Sequence, residues 1–95
     1  MTTTSAAVLK DPLGLHARPS VKLVKLAKSF ESSVEVAADP AGPWTSAKSL
    51  IKVMKVKAKQ GATLHFRVTG PDETDAAAAL AALVEADFPE DGSDE

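Results

Sequence analysis

One histidine at the start of a predicted helix is the side chain in this sequence best placed to do chemistry. It is His16, within the string Gly14-Leu15-His16-Ala17-Arg18-Pro19-Ser20. Backbone N–H groups in the first turn of a helix have no partner inside the helix, and the helix dipole adds positive charge there. The backbone of Ala17 and Arg18 is therefore predicted to bind a phosphate, and the Arg18 guanidinium adds a forked cationic donor. We predict that the imidazole of His16 accepts a phosphoryl group and that Arg18 stabilises it.

The residues around this histidine do not form a complete catalytic site. A neutral imidazole is the form that attacks phosphorus, and both the positive helix end and Arg18 favour that form over imidazolium. No glycine-rich nucleotide loop, catalytic dyad or metal cluster accompanies it in the sequence. Partners must therefore supply the phosphoryl donor and acceptor, so we expect a carrier and not an enzyme.

Length and composition favour one small domain. The chain has 95 residues, of which 44% are hydrophobic. This suits a single core over residues 1–88, followed by an acidic tail at 89–95 that we expect to be mobile. No apolar run approaches the ~18 residues that a membrane span needs, and the N-terminus lacks the pattern of a secretion signal. We expect a cytoplasmic monomer that does not insert into a membrane.

The residue types exclude several kinds of site. There is no cysteine, and the two histidines, His16 and His65, lie far apart. We therefore expect no disulfide, no metal and no cofactor. His65 is predicted to lie on the polar face of a strand with no catalytic role. All eleven Lys and Arg residues lie at or before Arg67, whereas nine of the thirteen acids lie from Asp72 onward. The molecule thus has a basic part that could meet acidic partners, but the isoelectric point near 5.6 argues against general nucleic-acid binding.

Hydrophobic periodicity and turn residues predict seven elements. In order they are a strand over 5–10, a helix over 17–29, a strand over 33–38, an extended piece over 44–46, a helix over 50–56, a strand over 62–69 and a final helix after Asp72. Ser49 is predicted to cap the short helix, and Asp72 with Asp75 to cap the last one. The order βαββαβα favours an α+β fold, an open-faced two-layer sandwich with helices on one side of an antiparallel sheet.

The alternation of the last strand and the helical spacing after it predict the core. Leu64, Phe66 and Val68 are expected to face inward, and Thr63, His65, Arg67 and Thr69 to face water. The inward residues of the final helix are predicted to be Ala76, Ala79, Leu80, Leu83 and Val84.

The sequence resembles the family of HPr, the histidine-containing phosphocarrier protein of the phosphoenolpyruvate-dependent phosphotransferase system. The resemblance lies in Gly14-Leu15-His16-Ala17-Arg18-Pro19, in Ser46-Ala47-Lys48-Ser49-Leu50 and in Gln60-Gly61. It implies that enzyme I phosphorylates His16 on Nδ1 and that IIA proteins or domains in sugar uptake receive the group. It also implies the sheet order 1-4-2-3. Lys57, where the family usually has glycine, and a hairpin at 39–43 that is longer by about two residues depart from the pattern.

Two further sites are predicted for partners. Helical spacing gathers an apolar patch rimmed by lysines, which we expect to dock acidic partners; its residues are Leu50, Ile51, Met54, Lys25, Lys28 and Lys52. Ser49 matches the position that a serine kinase phosphorylates in some members of the family, and a phosphate there would repel such partners. Lys52 and Lys55 depart from the pattern of kinase-regulated members, so we favour a capping role for Ser49. The other lysines of this segment, Lys48, Lys57 and Lys59, are interpreted either as a solvated face or as part of the docking surface.

Two alternatives remain open at this point. One is a regulatory phosphocarrier in a nitrogen-related branch of the same system. The other is a basic RNA-binding module, which the lysine cluster favours but the lack of outward Phe or Tyr on the strand over 62–69 disfavours.

Overall fold

A four-stranded antiparallel sheet forms one layer of the molecule, and three helices form the other. The computed structural model describes residues 2–88, so the predicted tail at 89–95 lies outside the described residues. The strands are β1 (Thr2–Val8), β2 (Ser33–Ala37), β3 (Thr45–Ser46) and β4 (Thr63–Thr69), in the spatial order β1-β4-β2-β3. The helices are α1 (Ala17–Lys28), α2 (Leu50–Met54) and α3 (Glu73–Glu85). This confirms the predicted open-faced sandwich and its strand order. None of the helices within residues 2–88 has the length and apolarity needed to cross a membrane.

The core lies between the sheet and the helices. Leu64, Phe66 and Val68 of β4 are fully buried, as their alternation predicts. In α1, Leu23, Val24 and Ala27 are buried against them. In α3 the buried residues are Ala76, Ala77, Leu80 and Val84, whereas Ala79 and Leu83 are only partly buried. The predicted apolar face of α3 is therefore rotated slightly toward Ala77, whose carbonyl accepts a hydrogen bond from the Ser5 hydroxyl of β1 at 2.8 Å.

The strand at the N-terminus begins and ends earlier than predicted. Its register with β4 runs from Thr2 opposite Thr69 to Val8 opposite Thr63. Because β4 sets the length of the ladder, β1 spans seven residues and stops before Leu9. The predicted strand over 5–10 is therefore wrong at both ends. The threonines at its start pair with β4, which their low hydrophobicity did not indicate, and the strand ends at Val8.

The predicted capping of α3 by Asp72 is also wrong. Asp72 occupies the N-cap position but makes no side-chain capping bond. Its carboxylate instead accepts hydrogen bonds from the backbone N–H groups of Glu31 and Ser32, both at 3.0 Å, and from the Ser32 hydroxyl. The residue that reaches back at the start of α3 is Glu73, which accepts from Gly70 N at 3.1 Å. Asp72 therefore ties the start of α3 to the connection between α1 and β2.

The outer face of the sheet is only partly open to water. The Arg67 guanidinium lies 4.3 Å from the centre of the Trp44 ring, and its Nε donates to Glu35 Oε1 at 2.8 Å. Trp44 stands at the end of the hairpin at 39–43, next to β3. The ring of Trp44 thus covers one end of this face, and His65 and Arg67 are partly exposed.

Candidate functional site

A tight turn leads from β1 to the histidine. Asp11 opens it: its side-chain Oδ1 accepts from Leu13 N at 2.8 Å, and its backbone carbonyl accepts from Gly14 N at 2.8 Å. A carboxylate that bonds the backbone two residues on is a common way to stabilise such a turn. A turn is therefore formed at 11–14, and it also directs the other oxygen of Asp11 toward His16.

Backbone hydrogen bonds hold this loop against the segment that follows α2. Leu15 N donates to Ala58 O at 2.9 Å, Leu9 N donates to Ala62 O at 2.8 Å, and Gly61 N donates to Leu9 O at 2.8 Å. Gly14 has a φ of +73°, and a Cβ at this position would collide with the Ala58 carbonyl. Only glycine combines this conformation with such a close approach. The position of the loop is thus fixed by residues more than 40 positions later in the chain.

His16 is the residue immediately before α1, in an extended conformation with φ −99° and ψ −166°. Its carbonyl accepts the first helical hydrogen bond, from Ser20 N at 3.0 Å, while its ring makes no capping bond. The ring is 31% exposed, and its Nε2 lies 3.2 Å from Oδ2 of Asp11. Pro19, which has no N–H to satisfy, is buried in the first turn of the helix. The imidazole is therefore reachable from solvent and contacts a carboxylate through one ring nitrogen.

Asp11 was not predicted to contact His16. Hydrogen bonds from Leu13 N and from the His16 ring lower the pKa of Asp11 below its ordinary value, against a smaller opposing effect of burial. Asp11 is consequently ionised at neutral pH and can only accept a hydrogen bond. The sequence pattern indicated only positive groups near His16, whereas the structure adds a negative one.

A shallow pocket of about 350 Å³ surrounds the exposed edge of the imidazole. Its lining comprises Asp11, Leu13, His16, Arg18, Pro19, Lys22, Asp87 and Phe88. The predicted pair, His16 and Arg18, thus shares one pocket, and Arg18 is exposed. Lys22 was missed, although its spacing of four from Arg18 indicates the same face of α1. No sequence pattern indicated that Asp87 and Phe88 would line this pocket. They follow α3 in left-handed conformations (φ 62° and 53°), which bring them to it.

The predicted docking residues lie on exposed surface. The exposed fractions of Leu50, Ile51 and Met54 are 37%, 71% and 42%, and Lys25, Lys28 and Lys52 are exposed. Helices α1 and α2 pack against each other. Leu13 and Val21 are also exposed apolar residues, on the loop before α1 and on α1 itself. Exposed apolar side chains therefore occur on both helices and on the His16 loop.

Ser49 caps α2 as predicted. Its hydroxyl accepts from Lys52 N at 3.4 Å, and its backbone is extended, as is usual at an N-cap. The helix ends at Met54, two residues before the predicted end. Lys48 is partly exposed, and its Nζ donates to the carbonyl of Phe30 at 2.8 Å.

Lys57 adopts the conformation that glycine favours. Its φ is +54°, which places a non-glycine residue in the left-handed region. Lys57 therefore keeps the backbone path that a glycine would give, and it does so at a conformational cost.

Comparison with known proteins assigns this fold and loop to one family. A family model described as the PTS HPr component phosphorylation site matches residues 3–86. The phosphocarrier protein NPr of Escherichia coli (strain K12) is 34% identical over 91 residues, which cover 96% of this chain and all of the relative. The phosphocarrier protein HPr of Cupriavidus necator is 44% identical over 74 residues, covering 78% of this chain and 81% of the relative. The crystal structure of HPr-C-His from Thermoanaerobacter tengcongensis has a TM-score of 0.83 and 31% identity, with 94% and 98% of the two chains covered.

These matches define the class first: the relatives are phosphocarriers, which receive and pass on a phosphoryl group and are not catalysts. The chain belongs to the HPr family of the phosphotransferase system. This assignment selects a phosphocarrier over the RNA-binding module that the lysine cluster had left open.

Proposed function

We propose that His16 is the phosphoacceptor of this protein, that enzyme I is its donor and that IIA proteins or domains are its acceptors. The observation that carries this proposal is the partly exposed imidazole at the start of α1, in one pocket with the Arg18 guanidinium. A helix N-terminus and an arginine are groups that stabilise phosphoryl oxygens. We place this exchange in the cytoplasm, with the protein as a monomer.

The transfer step needs only groups that this site and a donor supply. A lone pair on a ring nitrogen of His16 forms a bond to phosphorus. The bond between phosphorus and the donor's leaving atom breaks, and that atom keeps the electron pair. The backbone N–H groups of Ala17 and Arg18 and the Arg18 side chain then face the phosphoryl oxygens, where charge-assisted hydrogen bonds are about twice as strong as neutral ones.

Partners dock, in this proposal, on the apolar patch of Leu50, Ile51 and Met54. In this proposal the exposed Lys25, Lys28 and Lys52 rim the patch, and their positive charge would speed the approach of acidic partners at low salt. The exposed fraction of Ile51, 71%, supports this role, because an isolated monomer gains little from such an apolar side chain in water.

The experiment that tests the proposed acceptor compares the two histidines. The chain is incubated with enzyme I and labelled phosphoenolpyruvate, as wild type, His16→Ala and His65→Ala. We expect an acid-labile label on wild type and on His65→Ala, because His65 lies on the partly exposed outer face of the sheet. His16→Ala should take none. Normal labelling of His16→Ala would refute the proposal.

The branch of the system that this chain serves is proposed to be sugar uptake. A second candidate is the nitrogen-related regulatory branch, which is supported by the NPr relative that matches along its whole length. The two are distinguished by offering phosphorylated protein to IIA proteins of each branch and following the label. Faster transfer to the nitrogen-related IIA protein would overturn the assignment to sugar uptake.

A further inference from the structure

We propose that Asp11 is a positioning residue that keeps the His16 proton on Nε2 and so leaves the Nδ1 lone pair free to attack phosphorus. This inference rests on the proposed function of His16 and names the group that prepares its ring. It starts from the contact of 3.2 Å between Asp11 Oδ2 and His16 Nε2.

The chemistry of the two partners decides which nitrogen carries the proton. Asp11 is ionised and has no proton to give, so the ring nitrogen that faces it must be the donor. In a neutral imidazole only one nitrogen is protonated, and the other then has the lone pair. The hydrogen bond to Asp11 therefore selects the tautomer with hydrogen on Nε2.

Asp11 is itself held in place, which makes the selection firm. Its Oδ1 accepts from Leu13 N and its carbonyl accepts from Gly14 N, both at 2.8 Å. One carboxylate oxygen thus belongs to the turn and the other is directed at the ring. In metal sites and in hydrolytic triads, a carboxylate that hydrogen-bonds to one ring nitrogen likewise orients the imidazole and fixes its tautomer.

The same carboxylate faces the charge that the reaction creates. When the Nδ1–P bond forms and the donor's leaving atom takes its electron pair, the proton on Nε2 stays in place and the ring gains one positive charge. The charged groups that line the pocket are Asp11, Arg18, Lys22 and Asp87. Asp11 Oδ2 lies 3.2 Å from the ring, so Asp11 is the anion best placed to offset the new charge.

The chain contains a matched control for this role. Asp39 opens a second Asp-Pro-X-Gly turn, with Ala41 N donating to Oδ1 at 2.8 Å and Gly42 N donating to its carbonyl at 2.8 Å. This turn has the same hydrogen bonds as the turn at Asp11, but no histidine contact is found at Asp39 in the part of the chain that the structure describes. Asn at either position preserves the turn, because its carbonyl oxygen can accept the same backbone bond.

The test uses Asp11→Asn and Asp39→Asn in the full chain. If the Asn oxygen stays on Leu13 N, its amide presents a donor to Nε2 and favours the tautomer with hydrogen on Nδ1. Nitrogen-15 spectra of the unphosphorylated ring, at a pH where it is neutral, report the two populations. We expect Asp11→Asn to shift them toward hydrogen on Nδ1 and to slow phosphorylation by enzyme I about tenfold or more, the effect typical of a lost orienting partner.

Asp39→Asn should change neither quantity. A wild-type tautomer pattern in Asp11→Asn, a tautomer change without a slower rate, or the same effects in Asp39→Asn would overturn the assignment. Failure of the proposed function would appear separately, as wild-type protein that takes no label on His16. The tautomer populations would in that case still refute or support the contact between Asp11 and His16.

Discussion

The hydroxyl of Ser32 forms two hydrogen bonds with Asp72, which lies 40 positions later in the chain. The hydroxyl donates to Oδ1 of Asp72 and accepts from the backbone N–H of Asp72 at 3.1 Å. Ser32 is fully buried, and Gly70 approaches it so closely that a Cβ at Gly70 would collide with it.

Removing the Ser32 hydroxyl should destabilise the fold, because the backbone N–H of Asp72 then loses its acceptor and the Asp72 carboxylate loses a donor. We expect Ser32→Ala to lower the free energy of unfolding by about 1–3 kcal/mol. Ser33→Ala, at the exposed neighbouring position, should change it by less than about 0.5 kcal/mol. Urea denaturation of both variants measures the difference.

The effect of Ser32→Ala should depend on pH. Hydrogen bonds from the Ser32 hydroxyl first, and then from Glu31 N, lower the pKa of Asp72 in the folded state. A lowered pKa means that the folded state favours the ionised carboxylate, so this stability is present above the unfolded value of about 3.9 and is lost as pH falls through the folded value. The difference between wild type and Ser32→Ala should therefore be constant near neutrality and shrink below about pH 4. A difference that grew with acidity would contradict this account.

Replacing Lys57 by glycine should stabilise the protein. A left-handed conformation costs a non-glycine residue about 1–2 kcal/mol, and glycine loses about 0.5–1 kcal/mol more backbone entropy on folding. The net gain for Lys57→Gly is expected to be about 0.5–1 kcal/mol by urea unfolding. Lys59→Gly removes the same charge where φ is not positive and should destabilise instead. If both variants lost stability, the strain at Lys57 would be negligible.

Loss of the Arg18 guanidinium should slow phosphoryl transfer without unfolding the protein. Arg18→Ala is expected to reduce the rate of phosphorylation by enzyme I by roughly tenfold to a thousandfold, as for other donors that stabilise developing charge. The rate for Arg18→Lys should lie between the rates for wild type and Arg18→Ala, because lysine keeps the positive charge but not the planar, forked set of donors. Arg67→Ala removes the other arginine, on the outer face of the sheet, and should transfer at the wild-type rate. Rapid-quench labelling provides the rates, and a normal rate for Arg18→Ala would assign Arg18 no part in transfer.

Truncation of Ile51 should weaken partner binding while leaving stability unchanged. Because Ile51 is 71% exposed, Ile51→Ala is expected to cost less than about 0.5 kcal/mol of stability. Its affinity for enzyme I should fall about fivefold to tenfold, as for a residue near the centre of an interface. Val8→Ala, which truncates an apolar residue of β1 that is 48% exposed, is the control. Titration calorimetry gives both affinities, and equal values for Ile51→Ala and wild type would place docking elsewhere.

Ser49 is expected to act as a cap and not as a regulatory phosphorylation site. Its capping bond is long, at 3.4 Å, so Ser49→Ala should cost about 0.5–1 kcal/mol, at the lower end for a lost N-cap. Ser49→Asp retains a capping oxygen and should keep the stability, but its negative charge should weaken the binding of acidic partners. Intact-mass analysis of protein from its own cells under sugar excess, after mild acid, tests the natural state. An acid-stable phosphate on Ser49 would show that a kinase phosphorylates this residue.

The sequence was most informative where local pattern and local structure coincide. The alternation through Leu64, Phe66 and Val68 predicted β4 and its buried face, and the spacing of α1 predicted where that helix begins, next to His16. The signature around His16 also predicted the family. These features depend on side chains within one or two turns of each other, so the sequence alone is enough to find them.

Features that depend on distant partners were not predictable in the same way. The ends of β1 follow from its register with β4, and Asp72 was expected to cap its own helix because nothing local indicated Ser32. Asp11 lies only five residues before His16, yet their contact depends on how the turn directs the second carboxylate oxygen. Pro12 and Gly14 are residues that favour a turn, but the direction of a side chain within the turn depends on the three-dimensional structure.

The hydrogen bonds from Leu9 and Leu15 to Ala58, Gly61 and Ala62 bear on the order in which the site forms during translation. The 45 residues from His16 to Gly61 take about 2–9 s to add at roughly 5–20 residues per second. During that interval a growing chain carries the complete string from Gly14 to Ser20, but the backbone that holds the loop has not yet been made. The loop that holds the proposed phosphoacceptor therefore reaches its final position only after residues 58–62 have been made. Under the proposed function, nascent chains that stop before Gly61 should therefore not be phosphorylated on His16.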